Sequence, residues 1–401
     1  MKDIFPGYNK KGENEIKKIW DSGIICFDAN VLLNLYRYSD STRKALIDLI
    51  KKFSSQIWLP HQAALEYNRN RYEVIADQEK AYKEFISKIG QIENDLQSTS
   101  KPPFLSDKLH GSLKTVFKEV NSEVENSIKK YCDFLQKDTI YEELSKIFKD
   151  KISSEYSEDK LAEITKIGSE RYQKKIPPGY EDEKTKQDDR KYGDLVLWNQ
   201  ILDKAKNDKR PIILITDERK TDWWWKLKDG RNMGPRHELV QELKKEADVD
   251  FHMYSSERFL SYGLDHLKER INRKALEEIK EIKRAEIEEL ERVQKIKFKD
   301  IIKLKEERER RERERTNFLN HKIDLTRDQI ERYKIRLRML EERPYDKLNN
   351  EEELMHLSID IKDLESRLEE LIKMRDFNDI NDQTVLRNFF REFNRSKGDK
   401  T

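Results

Sequence analysis

The sequence predicts an α/β protein, a parallel sheet flanked by helices, with a helical insertion within it and an antiparallel, coiled-coil helical hairpin after it. Three observations carry that reading. Four short apolar segments look like buried strands, amphipathic helices fall between them, and the chain becomes a charged helical tract near residue 263. Strands that alternate with helices favour a parallel sheet covered on both faces.

The strand segments lie within residues 23–33 and at 56–59, 211–216 and 249–254. Each is short, β-branched or aromatic, and bounded by turn or polar residues. The helix at 41–53 opens on Ser41 and Thr42, good capping types, and gathers Ala45, Leu46, Leu49 and Ile50 on one side. The helix at 192–206 repeats the pattern with Leu195, Val196, Trp198, Ile201 and Leu202. Residues 70–175 carry no strand signal and read as two or three long helices, broken at Lys101-Pro102-Pro103. This insertion into a domain spanning 1–262 is either a covering module or an arm that grips a substrate.

Residues 263–375 read as a helical region. Leu319, Ile323, Thr326, Ile330, Tyr333, Leu337 and Leu340 step by four and three. After Arg343-Pro344-Tyr345-Asp346, the residues Leu354, Leu357, Ile361, Leu364, Leu368 and Leu371 do the same. Two such seams joined by a proline-containing turn predict an antiparallel hairpin. Its expected role is homo-oligomer formation or docking of a partner protein. The Glu/Arg alternation at 306–315 supplies i,i+4 pairs and almost no apolar face, so it reads as a solvated spacer. The tail at 376–401 is weakly specified, with Val385, Leu386, Phe389, Phe390 and Phe393 available for one more docking helix.

Composition removes several classes of function. With 82 Lys+Arg against 80 Asp+Glu in 401 residues, the chain is no histone-like polycation, although a local basic surface stays open. Twelve glycines and nine prolines are too few for low-complexity disorder or a turn-rich all-β protein. Two cysteines, Cys26 and Cys132, exclude a disulfide scaffold and a Cys-rich zinc module. No apolar run approaches the ~18 residues that span a bilayer. The N-terminus lacks a signal-peptide pattern, so the expected location is the cytoplasm, with no membrane partner.

The informative acids sit at predicted strand ends, where parallel sheets bind ligands. Asp28 closes the run Ile-Ile-Cys-Phe, and Asn30 follows two residues later. Asp217 and Glu218 follow the third strand directly, and Asp222 precedes Trp223-Trp224-Trp225. Glu66 lies on a helix after Leu59-Pro60, and Asp194 opens another behind Gly193. Carboxylates gathered at one edge repel one another unless a cation relieves them, and Mg²⁺ prefers oxygen ligands. One or two such ions hydrolyse a phosphodiester without a protein nucleophile, in keeping with the lack of a Ser/His or Cys/His constellation. Trp223 either stacks on unpaired bases or packs beneath the sheet edge. Arg236 either contacts phosphate or stays solvated.

Taken in order, Phe27-Asp28-Ala29-Asn30-Val31-Leu32-Leu33, the Glu66 helix, Tyr192-Gly193-Asp194-Leu195-Val196-Leu197-Trp198 and Ile215-Thr216-Asp217-Glu218 resemble the acidic motifs of PIN-domain nucleases. Pro177-Pro178-Gly179-Tyr180-Glu181-Asp182 and Lys220-Thr221-Asp222-Trp223-Trp224 resemble a bacterial PIN-like subgroup more specifically. The resemblance covers about residues 20–262 apart from the insertion, and leaves out the C-terminal helices. It implies a PIN-like fold and a metal-dependent endoribonuclease that uses Mg²⁺ or Mn²⁺ and leaves 5′-phosphate and 3′-hydroxyl ends. Asp28 and Asp194 would be the principal ligands, Glu66 would complete the set or orient water, and Asn30 would support them by hydrogen bonding. Asp182 would add a ligand or position the strip before Asp194. The fourth acid stays open among Asp217, Glu218 and Asp222, because the family's spacing of Thr, one residue, then Asp falls here on Glu218. The same analogy implies a toxin or antiphage defence effector. Two other expectations stand beside it: DNA in place of RNA, and a catalytically silent interaction scaffold.

Overall fold

The computed structural model describes residues 4–97, 105–184, 189–270, 272–342 and 347–376. The chain divides into two units between Arg284 and Ala285, further along than the change of composition near residue 263.

In the first unit, α1 (Glu13–Ser22) leads into β1 (Ile24–Phe27), which is buried throughout as a strand covered on both faces must be. Next come α2 (Ala29–Leu33), α3 (Asp40–Lys52) and the two-residue strand β2 (Ile57–Trp58). Ser39 caps α3 by accepting from the Thr42 N–H. The inserted helices follow: α4 (His61–Gln97), α5 (Asp107–Gln136), α6 (Thr139–Ile147) and α7 (Glu158–Gln173). The chain returns through α8 (Gly193–Asp208) and β3 (Ile212–Ile215). A small hairpin, β4 (Trp224–Lys226) and β5 (Asn232–Pro235), precedes α9 (His237–Ala247), β6 (Phe251–Tyr254) and α10 (Ser256–His266).

The main sheet has the order β2-β1-β3-β6 with every pair parallel. Ile24 lies opposite Ile212 and Phe27 opposite Ile215, so β1 and β3 end level with each other. Ile25, Cys26, Phe27, Ile212, Ile213 and Ile215 are fully buried, and Trp198 of α8 packs edge-on to Phe251 of β6. The insertion is fastened to this core by a buried polar network. The Tyr36 hydroxyl lies 2.7 Å from that of Tyr67 and donates to Asp138 at 2.6 Å, while Arg71 reaches Asp138 at 3.2 Å. One residue of the insertion also joins the sheet: Ile152 bridges Leu59, whose N–H donates to the Lys151 carbonyl at 3.0 Å.

The first turns of α11 (Arg273–Glu341) belong to the sheet domain because they carry buried apolar residues, Ala275 and Ile279, into its core. Glu278 there accepts from the Ser39 N–H at 2.5 Å and from the Ser39 and Thr42 hydroxyls at 2.6 Å, tying α11 to the start of α3.

In the second unit, the rest of α11 and α12 (Lys347–Asp376) form the expected hairpin. Leu319, Ile323, Ile330, Leu357 and Ile361 are buried. The pairs Lys334–Glu365 at 2.7 Å and Arg336–Glu353 at 2.5 Å run in antiparallel order. Residues 306–315 are largely exposed and carry i,i+4 pairs such as Arg308–Glu312. The joining turn at 343–346 and the tail segment with Val385, Leu386, Phe389, Phe390 and Phe393 lie outside the described residues. Among the described residues, no helix is long and apolar enough to cross a membrane.

Candidate active site

Asp28 follows β1 and its N–H donates to the Ile215 carbonyl at 2.9 Å, so the residue is fixed at the carboxyl end of the two central strands. It stands at the N-cap position of α2 without capping it. Its Oδ2 accepts instead from Asn30 Nδ2 and from the Thr216 hydroxyl, each at 2.7 Å. Oδ1 has no hydrogen-bond partner among the described residues, which leaves one oxygen held by the protein and the other spare. Burial pushes the Asp28 carboxyl up from 3.8 to about 7; the Thr216 hydrogen bond opposes this, and repulsion from Glu66, Asp194 and Glu218 adds to it.

Those three neighbours come from three other elements. Glu66 sits in the second turn of α4, where Gln62 donates to its Oε1 at 2.6 Å. Gly193 makes room for it, since a Cβ there would lie 2.7 Å from Glu66 Oε1. Asp194 opens α8, and its Oδ2 accepts from the Trp223 indole at 3.2 Å. Burial raises its carboxyl too; Lys220 offsets part of this, while Asp182 and Glu218 add to it. Glu218 is aimed by the backbone: its N–H donates to Thr216 Oγ1 at 3.0 Å, and its Oε1 accepts from the Arg219 and Lys220 N–H groups at 2.7 and 3.1 Å.

An ammonium group joins these acids. Lys220 Nζ lies 2.7 Å from Asp182, 3.1 Å from Glu218 and 3.4 Å from Asp194. Burial opposes its charge, but Asp194, Glu218 and Asp182 outweigh that and push it above the ordinary lysine range. Asp182 itself is almost fully buried. Asp222 lies beside Asp194, also buried, and its Oδ2 accepts from the Gly179 and Glu181 N–H groups at 2.8 and 3.3 Å. Burial, then Asp194 and Glu181, raise it to about 6, and its Oδ1 is buried with no hydrogen-bond partner. Gly179, at φ +93°, allows this loop to press against Tyr172 and Asp194, where a side chain would collide.

Asp217 does not join the cluster. Its carboxylate accepts from Asn34 Nδ2 and from the Ser256 N–H, both at 3.0 Å, from the Ser256 hydroxyl, and from Lys283 at the start of α11. Burial alone would raise it, but Lys283 and Ser256 prevail and hold it below the usual carboxylate range. Beyond the end of β3 the chain directs Thr216 to Asp28 and hydrogen-bonds it to the Glu218 N–H, while side chain 217 turns to Asn34, Ser256 and Lys283. Trp223 is buried, packs edge-on to Trp198 and supports Asp194, so it is not positioned to stack on bases. The Arg236 guanidinium is engaged by Glu238 at 2.9 Å and by the Thr221 carbonyl at 3.4 Å, rather than free for phosphate.

Sequence reasoning gave no role to Thr216 or Lys220. Thr216 was visible as the threonine two residues before Glu218, whereas nothing in its local spacing marked Lys220 as the counter-charge of three acids. Four coupled carboxylates, one spare Asp28 oxygen and the orphaned Asp222 Oδ1 suit a hard divalent cation in donor chemistry. As they stand, no three Asp, Glu, His or Cys side chains among the described residues close into a metal cage.

A family model described as a PIN-like domain matches residues 24–239, more than half of the chain. That span holds every acid of the cluster. No curated protein and no solved structure matches the chain.

Proposed function

The chain belongs to the PIN-like domain family, whose members are generally nucleases, and on that premise we propose that it is a metal-dependent endoribonuclease. The observation that supports this best is the coupling of Asp28 to Glu66, Asp194 and Glu218 at the carboxyl edge of β1 and β3. In this reading those four residues hold Mg²⁺ or Mn²⁺. The bound ion supplies Lewis acidity to the phosphodiester and to the attacking water. Asn30 and Thr216 hold one Asp28 oxygen so that the other is presented to the ion. Trp223 and Gly193 keep Asp194 and Glu66 in place, and Asp222 shapes the Gly179 loop against Asp194. RNA rather than DNA, and a role as a toxin or antiphage defence effector, follow from the family analogy.

The test is cleavage of a mixed-sequence single-stranded RNA, and of DNA of the same sequence, with Mg²⁺ or Mn²⁺. We expect RNA to be cut, chelation to stop the reaction, and Glu218→Gln and Asp194→Asn to lower the rate by at least about a hundredfold while the fold is kept. Cleavage of DNA alone would redirect the substrate. An inert wild type with both ions would leave a silent scaffold.

The hairpin supports a separate role in association. Leu325, Ile335, Met339, Met355 and Ile359 are exposed apolar residues on its helices, more than a solitary hairpin needs. The full chain is expected to sediment as a dimer or larger species, and Met339→Glu with Met355→Glu to shift it to the monomer mass.

A further inference from the structure

We propose that Lys220 is a built-in competitor of the divalent ion: its ammonium neutralises the carboxylate cluster in the resting protein and must leave Asp194 and Glu218 before the ion can take them. This rests on the metal-dependent reading above and adds a regulatory residue to it.

The geometry supports exchange rather than a permanent lock. Three acids surround one Nζ, yet the contacts are unequal: 2.7 Å to Asp182, 3.1 Å to Glu218 and 3.4 Å to Asp194. The two looser partners are the proposed ion ligands. The tightest, Asp182, is not one of the four proposed ion ligands. The Lys220 side chain is 25% exposed whereas that of Asp182 is 4% exposed, so the lysine has an open side and its tether does not. An ammonium and a divalent ion in contact with the same oxygens repel strongly in a partly buried site. Lys220 is therefore expected to swing away on ion binding while keeping Asp182.

The charge arithmetic shows why such a residue is useful. Asp28, Glu66, Asp182, Asp194 and Glu218 place five acids at one edge, and clustered carboxylates destabilise a fold that lacks a counter-charge. A lysine in the cluster lets the protein fold before metal arrives. The consequence is a higher ion concentration for loading, so Lys220 sets a threshold.

Two measurements on the full chain test this. The first is calorimetric titration with Mn²⁺ of the wild type, Lys220→Gln and Lys220→Arg. Lys220→Gln is expected to bind Mn²⁺ about tenfold more tightly and to melt lower than the wild type without metal, with Mn²⁺ restoring it. Lys220→Arg, which keeps the charge, is expected to bind no more tightly than the wild type. The second needs no variant: the rate at which an acetylating reagent modifies Lys220 in the wild type, read by mass spectrometry, is expected to rise several-fold with Mn²⁺. Equal or weaker binding by a folded Lys220→Gln, or an unchanged acetylation rate on a protein that binds Mn²⁺, overturns the proposal and leaves the nuclease reading standing. Absence of Mn²⁺ binding in wild type and variants alike removes the metal-dependent reading and this proposal with it.

Discussion

Asp28→Asn is expected to cut RNA cleavage by at least about a hundredfold and, in the same preparation, to make the metal-free protein more stable at pH 8. The two effects share one cause. Burial and three neighbouring acids raise the Asp28 carboxyl from 3.8 to about 7, so the folded chain holds a proton that the unfolded chain has released. Between about pH 4 and pH 7 the native state therefore binds more protons, and stability falls as pH rises. Above pH 7 the ionised group is tolerated at a cost of up to about 4 kcal/mol. Asparagine keeps an oxygen for Asn30 and Thr216 but carries no charge, so that cost and the pH slope both disappear. Melting curves from pH 5 to pH 8 without metal read this directly. A variant that melts at or below the wild type at pH 8 would show that Asp28 is not held against repulsion. Saturating Mn²⁺ should reverse the order, raising the wild type above Asp28→Asn.

Lys283→Met is expected to produce the largest loss of stability without touching the chemistry. Asp217 is 5% exposed and Lys283 17%, and removing one partner of a buried pair leaves a charge without its counter-ion, at about 3 kcal/mol. For a domain of this size the melting temperature would drop by roughly 6–12 °C. The sign in pH is opposite to that of Asp28. A depressed carboxylate contributes stability above its ordinary range and loses it as pH falls, so the wild type should weaken on acidification while Lys283→Met, which lacks that contribution, should lose less and its deficit should narrow at low pH. Adding Asp217→Asn removes the lone charge and should recover most of the loss. Well below the melting point, Lys283→Met should cleave at nearly the wild-type rate. A hundredfold loss there would place Asp217 among the reacting groups after all.

These expectations mark how far the chain could be read before its structure. The α/β alternation was plain because β1 and β3 are continuous apolar runs, and only burial on both faces makes such runs useful. The antiparallel hairpin was plain because its seams repeat over many turns. The strands β4 and β5 were not foreseen, since they are short and their register slips between Trp225 and Lys226. Asp28 could be picked out as an acid closing an apolar strand, whereas Glu66 and Asp194 stood out only through their place in the ordered set of motifs. The choice between Asp217 and Glu218 could not rest on acidity, which they share; it depended on which side of the strand end each faces. Lys220 was hidden because its partners are drawn from residues 182, 194 and 218, a proximity that only the fold creates.

The bridge between Leu59 and Ile152 has a consequence of its own. A two-residue strand at the flank of a parallel sheet leaves backbone donors and acceptors that invite a foreign chain to add itself. Here the Leu59 N–H and carbonyl are both taken, by Lys151 and Ser153. The segment between α6 and α7 thus acts as a stopper that closes one side of the sheet to runaway strand addition, and a shortened protein lacking the insertion would be expected to clump.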